Sequence, residues 1–247
     1  MSVHRFFAPD LNPGDDTVVL PGGEGEHLNR VLRIGVGDTV SVFDGRGHEF
    51  LARVIGARHR NVRVQILSRV EPAAEWNVSL TLAQAVLKGE NMDDVVRDAV
   101  MLGASAIQPL ITKRAETTVA GLLRGARLER WRRVVLASAK QSGRAVLPEV
   151  RTPLTVENYL EEPAPALRMM LVEPSADEDP EPLSVLRTIP VPGDVCVMVG
   201  PEGGWTGEEC SLARKSGVRL MTLGPRTLRA DAVALSALSI FQFLWES

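Results

Sequence analysis

The chain has 247 residues, of which 45% are hydrophobic and 24% charged, with 28 Lys and Arg against 31 Asp and Glu. This is the composition of an ordinary globular protein of one or two domains, and an aromatic content of 4% argues against a broad stacking platform for bases. Two cysteines and four scattered histidines suggest no metal site. With no signal peptide and no membrane-spanning apolar run, we expect a cytoplasmic protein that does not enter a membrane.

The first 70 or so residues predict short β-strands with tight turns, an arrangement typical of a small barrel. Asp44–Gly47 has the composition of a hairpin turn. Gly25–Asp38 predicts a short helix ending near Gly35, with His27, Arg30 and Arg33 on one side. The predicted strands are Thr17–Pro21, Thr39–Phe43, His48–Ile55 and Asn61–Leu67.

From Val78 onward, strands alternate with helices, which predicts a mostly parallel sheet with helices on both faces. Thr206–Glu209 has capping-box spacing and predicts a helix start. Glu173–Pro182 is acidic and is interpreted as a solvated loop. The predicted strands are Val78–Leu87, Ser105–Ile111, Arg168–Val172, Asp194–Val199 and Val218–Leu223; the predicted helices are Met92–Gly103, Gly125–Ser142, the one ending at Gly217 and a C-terminal one.

Two of these strands end in glycine-proline turns, at Gly200–Gly204 and at Gly224–Arg226. Ligands bind beyond the carboxyl ends of strands in open α/β sheets, so the turns could form a binding crevice. Neither turn is a P-loop or a dinucleotide fingerprint, although their backbone groups could hold an adenine and a ribose. An equally good interpretation at this point is two tight turns with no ligand.

The helix around residues 124–144 is strongly basic, which favours a phosphate-rich partner over a merely solvated face. Asp231 is most simply an N-cap of the last helix. The apolar residues of that helix, from Val233 to Trp245, cover more than one face and predict either core or a dimer interface.

Several motifs in a fixed order resemble the 16S ribosomal RNA uridine N3-methyltransferases of the SPOUT superfamily. The resemblance spans nearly the whole chain. The motifs are HLNRVLRIGVGD, the strand that ends at Leu87-Lys88-Gly89, GASAIQPLITKRAE, AKQSGRAVLPEV, VGPEGGWTGEEC and LGPRTLRADAVAL.

This resemblance implies a PUA-like β-barrel RNA-binding domain over residues 1–72 and an α/β SPOUT methyltransferase domain with a deep trefoil knot over residues 76–247. It implies S-adenosylmethionine as cofactor, 16S rRNA of the small ribosomal subunit as substrate, and a homodimer. The matching cofactor-binding positions are Leu171, Val172, Val199, Gly200, Pro201, Glu202, Gly203, Gly204, Leu223, Gly224, Pro225, Leu228 and Arg229. We expect rRNA phosphates to be held by Arg5, Arg30, Arg33, Lys140, Gln141, Ser142 and Arg144.

Methylation at uracil N3 requires removal of its proton from an unpaired base. We therefore expect Arg229 to stabilise the uridine oxyanion, and Glu202 or Asp231 to act as the base or to position it. The family usually carries a glutamate where this chain has Asp231, so the acid reaches one methylene less far.

Two other functions remain possible from the sequence. One is a non-catalytic RNA-binding protein on a SPOUT-like scaffold, which would bind RNA without S-adenosylmethionine; the intact turns argue against it. The other is a phosphate-binding α/β enzyme acting on a small metabolite, which would leave the N-terminal domain and the basic helix without a purpose.

Overall fold

The computed structural model describes residues 3–174 and 179–245. The chain forms two compact units, one made of Met1–Glu75 with Leu136–Leu147 and the other of Trp76–Val135 with Pro148–Ser247. The sequence predicts two domains that follow one another along the chain, residues 1–72 and 76–247. In the structure, Leu136–Leu147 belongs to the same unit as the N-terminal residues. Arg5 accounts for part of this grouping, because its guanidinium donates to main-chain carbonyls in that segment. Within the described ranges, no helix is long and apolar enough to cross a membrane.

The first unit is built on a five-stranded sheet in the order β1-β3-β4-β5-β2. β1 and β3 are parallel and the other pairs are antiparallel. The predicted hairpin at Asp44–Gly47 is present between β3 and β4. Alternate residues such as Val40, Val42, Val62 and Val64 are fully buried in one core cluster. The strands are β1 (Arg5–Phe7), β2 (Thr17–Leu20), β3 (Thr39–Phe43), β4 (Glu49–Arg58) and β5 (Asn61–Val70).

The helix expected within Gly25–Asp38 is shorter and lies earlier. Helix α1 (Gly22–Glu26) continues into one π-helical turn, His27–Val31. Arg33 follows in a left-handed conformation, with φ of 55°. Arg33 is therefore not on the helix face that carries His27, because the chain has already left the helix.

Over the residues that the structure describes, the second unit contains eight further strands and most of the helices. The strands are β6 (Ser79–Ala85), β7 (Ala106–Ile111), β8 (Glu149–Val150), β9 (Leu154–Thr155), β10 (Leu167–Leu171), β11 (Glu181–Pro182), β12 (Asp194–Val199) and β13 (Arg219–Thr222). The helices are α2 (Asn91–Met101), α3 (Val119–Arg124), α4 (Arg127–Ser142), whose end belongs to the first unit, α5 (Val156–Glu161), α6 (Gly207–Lys215) and α7 (Ala230–Trp245), with a 3₁₀ helix at Leu183–Thr188.

All pairings in this second sheet are parallel, as the alternation of strands and helices predicted. The order is β11-β13-β10-β12-β6-β7-β8, with β9 beside β7. β10 lies between β12 and β13, and Leu171 pairs with Val199 on one side and Met221 on the other. Both glycine-proline turns therefore leave the same edge of the sheet, on either side of the end of β10.

Two local predictions need correction and one is confirmed. The solvated loop expected at Glu173–Pro182 contains strand β11, although residues 175–178 lie outside the described part of the chain. Asp231 lies inside the first turn of α7, which begins at Ala230, and is not its N-cap. The capping box is present, since Thr206 and Glu209 exchange side-chain and main-chain hydrogen bonds.

Candidate active site

A cavity of about 520 Å³ opens at the carboxyl ends of β10, β12 and β13. Both glycine-proline turns and the start of α7 contribute to its wall. A cavity of this size suits a cofactor or small substrate. Its lining residues are Asn91, Arg114, Leu171, Val172, Glu173, Pro174, Val199, Gly200, Pro201, Glu202, Gly204, Trp205, Cys210, Thr222, Leu223, Arg226, Thr227, Leu228, Arg229, Ala230, Asp231 and Val233.

Trp205 joins the end of β10 to the first glycine-proline turn. Its indole Nε1 donates a hydrogen bond of 2.9 Å to the main-chain oxygen of Leu171. A Cβ at Gly200 would lie 3.1 Å from that same nitrogen. The absence of a side chain at Gly200 therefore lets the indole hold both walls of the cavity together.

The tip of the same turn is held by Arg114, which follows β7. Its guanidinium donates to the main-chain oxygen of Gly203. Gly204 has a φ of 69°, and a Cβ there would lie 3.2 Å from a carboxylate oxygen of Glu173. The turn thus depends on glycine at position 204 for its conformation and for the close approach of Glu173.

Two polar side chains fix the base of the turn. Glu202 Oε1 accepts a hydrogen bond of 3.0 Å from the main-chain N–H of Lys88. The buried Gln84 amide donates to the main-chain oxygens of Ala85, at 3.0 Å, and Gly200, at 3.4 Å. The Glu202 carboxylate therefore has a defined orientation at the cavity wall.

Arg229 and Asp231 form an ion pair at the mouth of the cavity. Arg229 Nε donates to Asp231 Oδ1 at 3.2 Å, and a terminal guanidinium nitrogen lies 3.2 Å from Oδ2. The side chain of Arg229 is 77% exposed and that of Asp231 is 33% exposed. A cation held by a carboxylate at an open mouth can meet a substrate that arrives from solution.

The structure brings most of the predicted cofactor positions together around this cavity, with the exception of Gly203, Gly224 and Pro225. All three predicted catalytic residues line it. Sequence reasoning missed Arg114, Glu173 and Trp205. The position of Arg114 just after a parallel strand was a usable signal, since such residues gather at the ligand-binding edge. Trp205 directly follows the glycine-rich turn, whereas the approach of Glu173 to that turn is a tertiary contact.

The predicted RNA-binding residues all lie in the first unit. Three of them form ion pairs there in which the cation is buried or half-buried. Arg5 forms a two-point pair with Glu49 and also donates to three main-chain oxygens. Lys140 contacts Glu24 at 2.7 Å. Arg144 is buried and pairs with a further carboxylate, Glu75. These contacts stabilise the unit, and phosphate binding by the three cations stays a prediction.

The other four predicted RNA-binding residues differ in their accessibility. Arg33 and Gln141 are exposed, as is Arg30, which pairs with Glu26 at 2.7 Å. Ser142 has a buried hydroxyl oxygen with no hydrogen-bond partner in the described chain. Side-chain hydrogen bonds from Arg30 and then Arg60 hold the pKa of Glu26 below its usual value. The accessible cations of this set are therefore Arg30 and Arg33.

Over the residues that the structure describes, no group of three or more His, Cys, Asp or Glu side chains has an arrangement that could hold a metal ion. The thiols of Cys196 and Cys210 are both buried.

Known proteins resemble this chain over both units. Residues 74–242 match the model of the RNA methyltransferase domain, and residues 20–67 match that of the RNA methyltransferase PUA domain. The ribosomal RNA small subunit methyltransferase E of Synechocystis is 36% identical over 94% of this chain and 74% of the relative.

Two solved structures of similar proteins indicate the same family. The Neisseria gonorrhoeae ribosomal RNA small subunit methyltransferase E, bound to S-adenosyl methionine, is 32% identical, with a TM-score of 0.87 over 99% of this chain and 98% of that chain. A Legionella pneumophila protein in complex with bound SAM is 31% identical, with a TM-score of 0.89 over 98% of each chain. The chain therefore belongs to the family of RNA methyltransferases with a PUA domain, and within it to the ribosomal RNA small subunit methyltransferases E.

Proposed function

We propose that this protein transfers the methyl group of S-adenosylmethionine to N3 of a uridine in 16S rRNA of the small ribosomal subunit. The observation that carries the proposal is the Arg229–Asp231 pair at the mouth of a cavity that the two glycine-proline turns form. The matching domain model and the relatives solved with the cofactor support it.

The residues around the cavity fit the cofactor. Leu223 and Leu228 provide apolar surface for a purine, while Arg226 offers a cation for a carboxylate. Glu173 offers a carboxylate for an ammonium or sulfonium group, and the missing side chain at Gly200 keeps the wall open. When bound, S-adenosylmethionine supplies an electrophilic methyl group on its positively charged sulfur.

The chain's own residues must prepare the uridine. Loss of the N3 proton spreads negative charge over the two neighbouring carbonyl oxygens, and the Arg229 guanidinium is placed to stabilise that charge. Asp231 orients Arg229 through their paired contacts and, with Glu202, is a candidate acceptor for the proton. Because Glu202 is held by the Lys88 N–H, it can act with little reorganisation.

Of the predicted RNA-binding residues, Arg30 and Arg33 are the cations best placed to contact RNA phosphates, because both are exposed and the pair of Arg30 with Glu26 is open to solvent. Phosphate contacts position an RNA without reading its sequence. Arg5, Lys140 and Arg144 would have to exchange carboxylate partners before they could bind phosphate, so we assign them the weaker share of the binding.

We further propose a PUA-like barrel, a SPOUT domain with a trefoil knot, and a homodimer. Strand β13 pairs with β10 on the side away from β12, so the chain between β12 and β13 must cross β10, as a knot at this place requires.

The homodimer is supported by α7, on which Phe243 is 79% exposed, and Leu235 and Ile240 are exposed as well. Such an apolar surface suits a second copy of the chain. Sedimentation of the purified protein tests the dimer, which a monomer at micromolar concentration would rule out.

Two measurements test the function separately. Calorimetry with S-adenosylmethionine should show binding at one site per chain, and its absence would favour a non-catalytic RNA-binding protein. Mass mapping of 16S rRNA from cells with and without the gene should show one uridine that gains a methyl group at N3. A methyl group on another atom would overturn the target while leaving the cofactor assignment intact.

A further inference from the structure

A second cavity, of about 620 Å³, lies at the opposite edge of the parallel sheet. It is lined at the amino ends of three strands, by Ser79 and Thr81 of β6, Arg168 of β10 and Asp194 of β12. The methyl-transfer chemistry proposed at the carboxyl edge uses none of these residues. The cavity therefore needs an explanation of its own.

Arg168 is the unusual residue of this cavity, because it is a cation with only 5% of its surface exposed. Among the described residues, it has no carboxylate partner. Its terminal nitrogens donate only to main-chain oxygens, at 3.5 Å for Leu160, 3.3 Å for Glu162 and 3.2 Å for Pro163. These are long hydrogen bonds. The third guanidinium nitrogen, Arg168 Nε, is buried and has no hydrogen-bond partner in the described part of the chain.

No carboxylate of the described chain forms an ion pair with Arg168, although the exposed residues Glu162 and Asp194 both line the cavity. The Tyr159 ring lies beneath the guanidinium at 5.0 Å, and the Tyr159 hydroxyl contacts the Cys196 thiol at 3.0 Å. Burial raises the pKa of the Tyr159 hydroxyl, and burial raises the pKa of Cys196 to about 11, so both groups are neutral at pH 7. The carboxylate of Asp194 belongs to an exposed residue and accepts from the Ala166 N–H at 2.8 Å.

A buried guanidinium without an anion is unfavourable, and a bound oxyanion relieves it. Arg151, a partly exposed second cation whose pair with Glu149 is long at 3.5 Å, also lines the cavity, as do the hydroxyl-bearing residues Ser79, Thr81 and Thr152. We propose that this cavity binds a small molecule through a carboxylate or phosphate group held by the Arg168 guanidinium. The burial of Arg168 favours a small ligand over the backbone of a folded RNA, which could not enter.

The test follows the Arg168 Nε–H signal by ¹⁵N NMR on the full chain, with inorganic phosphate in one titration and acetate in another. The signal is assigned by its absence in Arg168→Lys. Saturable movement with either anion supports the proposal, and the anion that binds more tightly identifies the group. Arg151→Gln should weaken that binding about threefold to tenfold, while Arg97→Gln, a surface change on α2 outside the cavity, should not.

Two results would overturn the proposal. One is an Arg168 signal that neither anion moves at concentrations up to tens of millimolar. The other is a shift that Arg151→Gln and Arg97→Gln affect equally, which would indicate a general ionic-strength effect. If Arg168→Lys fails to fold, through-bond correlation of Nε with the rest of the Arg168 side chain assigns the signal instead, and the comparison of the surface variants Arg151→Gln and Arg97→Gln is still possible.

Discussion

The carboxylate of Asp231, in the first turn of α7, contacts the guanidinium of Arg229, which directly precedes the helix, through two contacts of 3.2 Å each. The pair lies at the mouth of a cavity that is also lined by other charged side chains, among them Arg114, Glu173, Glu202 and Arg226. Its two members have different roles in the proposed reaction, so they can be tested separately.

Replacing Arg229 by alanine should lower kcat by about 10²–10³, the usual loss when one donor to a developing oxyanion is removed. Binding of S-adenosylmethionine should change little, because the exposed guanidinium is not needed to form the cavity. Single-turnover methylation of small-subunit RNA, together with calorimetry of the cofactor, measures both effects. Full methylation by the variant would show that Arg229 has no role in stabilising charge.

Asp231→Asn keeps the shape of the side chain and removes its charge. We expect kcat to fall by about 10²-fold, the lower end for a general base, with a smaller loss if Asp231 only orients Arg229. Asp231→Glu is the matched control and should retain most of the activity, since it keeps a carboxylate at this position. If the asparagine variant kept its rate at every pH between 6 and 9, Glu202 would become the better candidate for the base.

Gly200→Ala should weaken cofactor binding about tenfold. The new methyl group would lie 3.1 Å from Trp205 Nε1, so the indole must shift by a few tenths of an ångström, which weakens its hydrogen bond to Leu171, an interaction of about 1 kcal/mol. Gly207→Ala is the matched control, because a Cβ there has no neighbour within 4 Å. Calorimetry compares the two variants, and equal affinities would mean that Trp205 does not shape the site.

Gly25→Ala should destabilise the first unit by about 1–3 kcal/mol, since a Cβ at Gly25 would meet the main-chain oxygen of Arg60 at 2.5 Å. Gly23→Ala, in the same short helix, has open space around the new methyl group and should be neutral or slightly stabilising. Hydrogen exchange of the β4 and β5 amides reports the stability of this unit. Equal protection in the two variants would contradict the predicted close contact.

Arg33→Gln should reduce the salt dependence of RNA affinity by about one unit of slope, as loss of one phosphate contact does. Lys140→Gln should instead lower the stability of the first unit, because it breaks the pair with Glu24. RNA binding measured across a range of salt concentrations, beside thermal melting, distinguishes the two. If the salt dependence of RNA affinity fell more in Lys140→Gln than in Arg33→Gln, Lys140 and not Arg33 would be the phosphate contact.

The stability of the first unit should fall in acid through Asp44. Burial acts to raise the pKa of Asp44, but hydrogen bonds from His48 and from the Arg46 and His48 N–H groups outweigh it and lower the pKa overall. A carboxylate with a lowered pKa stabilises the fold above its unfolded pKa of about 4, and this contribution is lost as pH falls through the lower, folded pKa.

The advantage of wild type over Asp44→Asn should therefore shrink as pH falls below about 4, measured by hydrogen exchange at several pH values. A difference that stayed constant down to pH 2 would show that Asp44 acts through shape alone.

The sequence by itself determined the local features of this protein. The Thr206–Glu209 capping box, the hairpin at Asp44–Gly47 and the alternation of strands and helices all depend on neighbours along the chain, and each is present. The ordered motifs also indicated the family and most of the cavity residues, because the turn backbone is encoded by its own glycines and prolines.

Tertiary structure alone decided which basic side chains remain available to bind an anion. Arg5, Lys140 and Arg144 look free in a basic sequence, yet their partners Glu49, Glu24 and Glu75 are 44, 116 and 69 residues away. Tertiary structure also decided the state of Arg168. It is buried without a paired anion because Tyr159 and Cys196 pack around it. Charge and spacing along the chain show which residues can bind an anion, whereas long-range packing decides which of them are already paired.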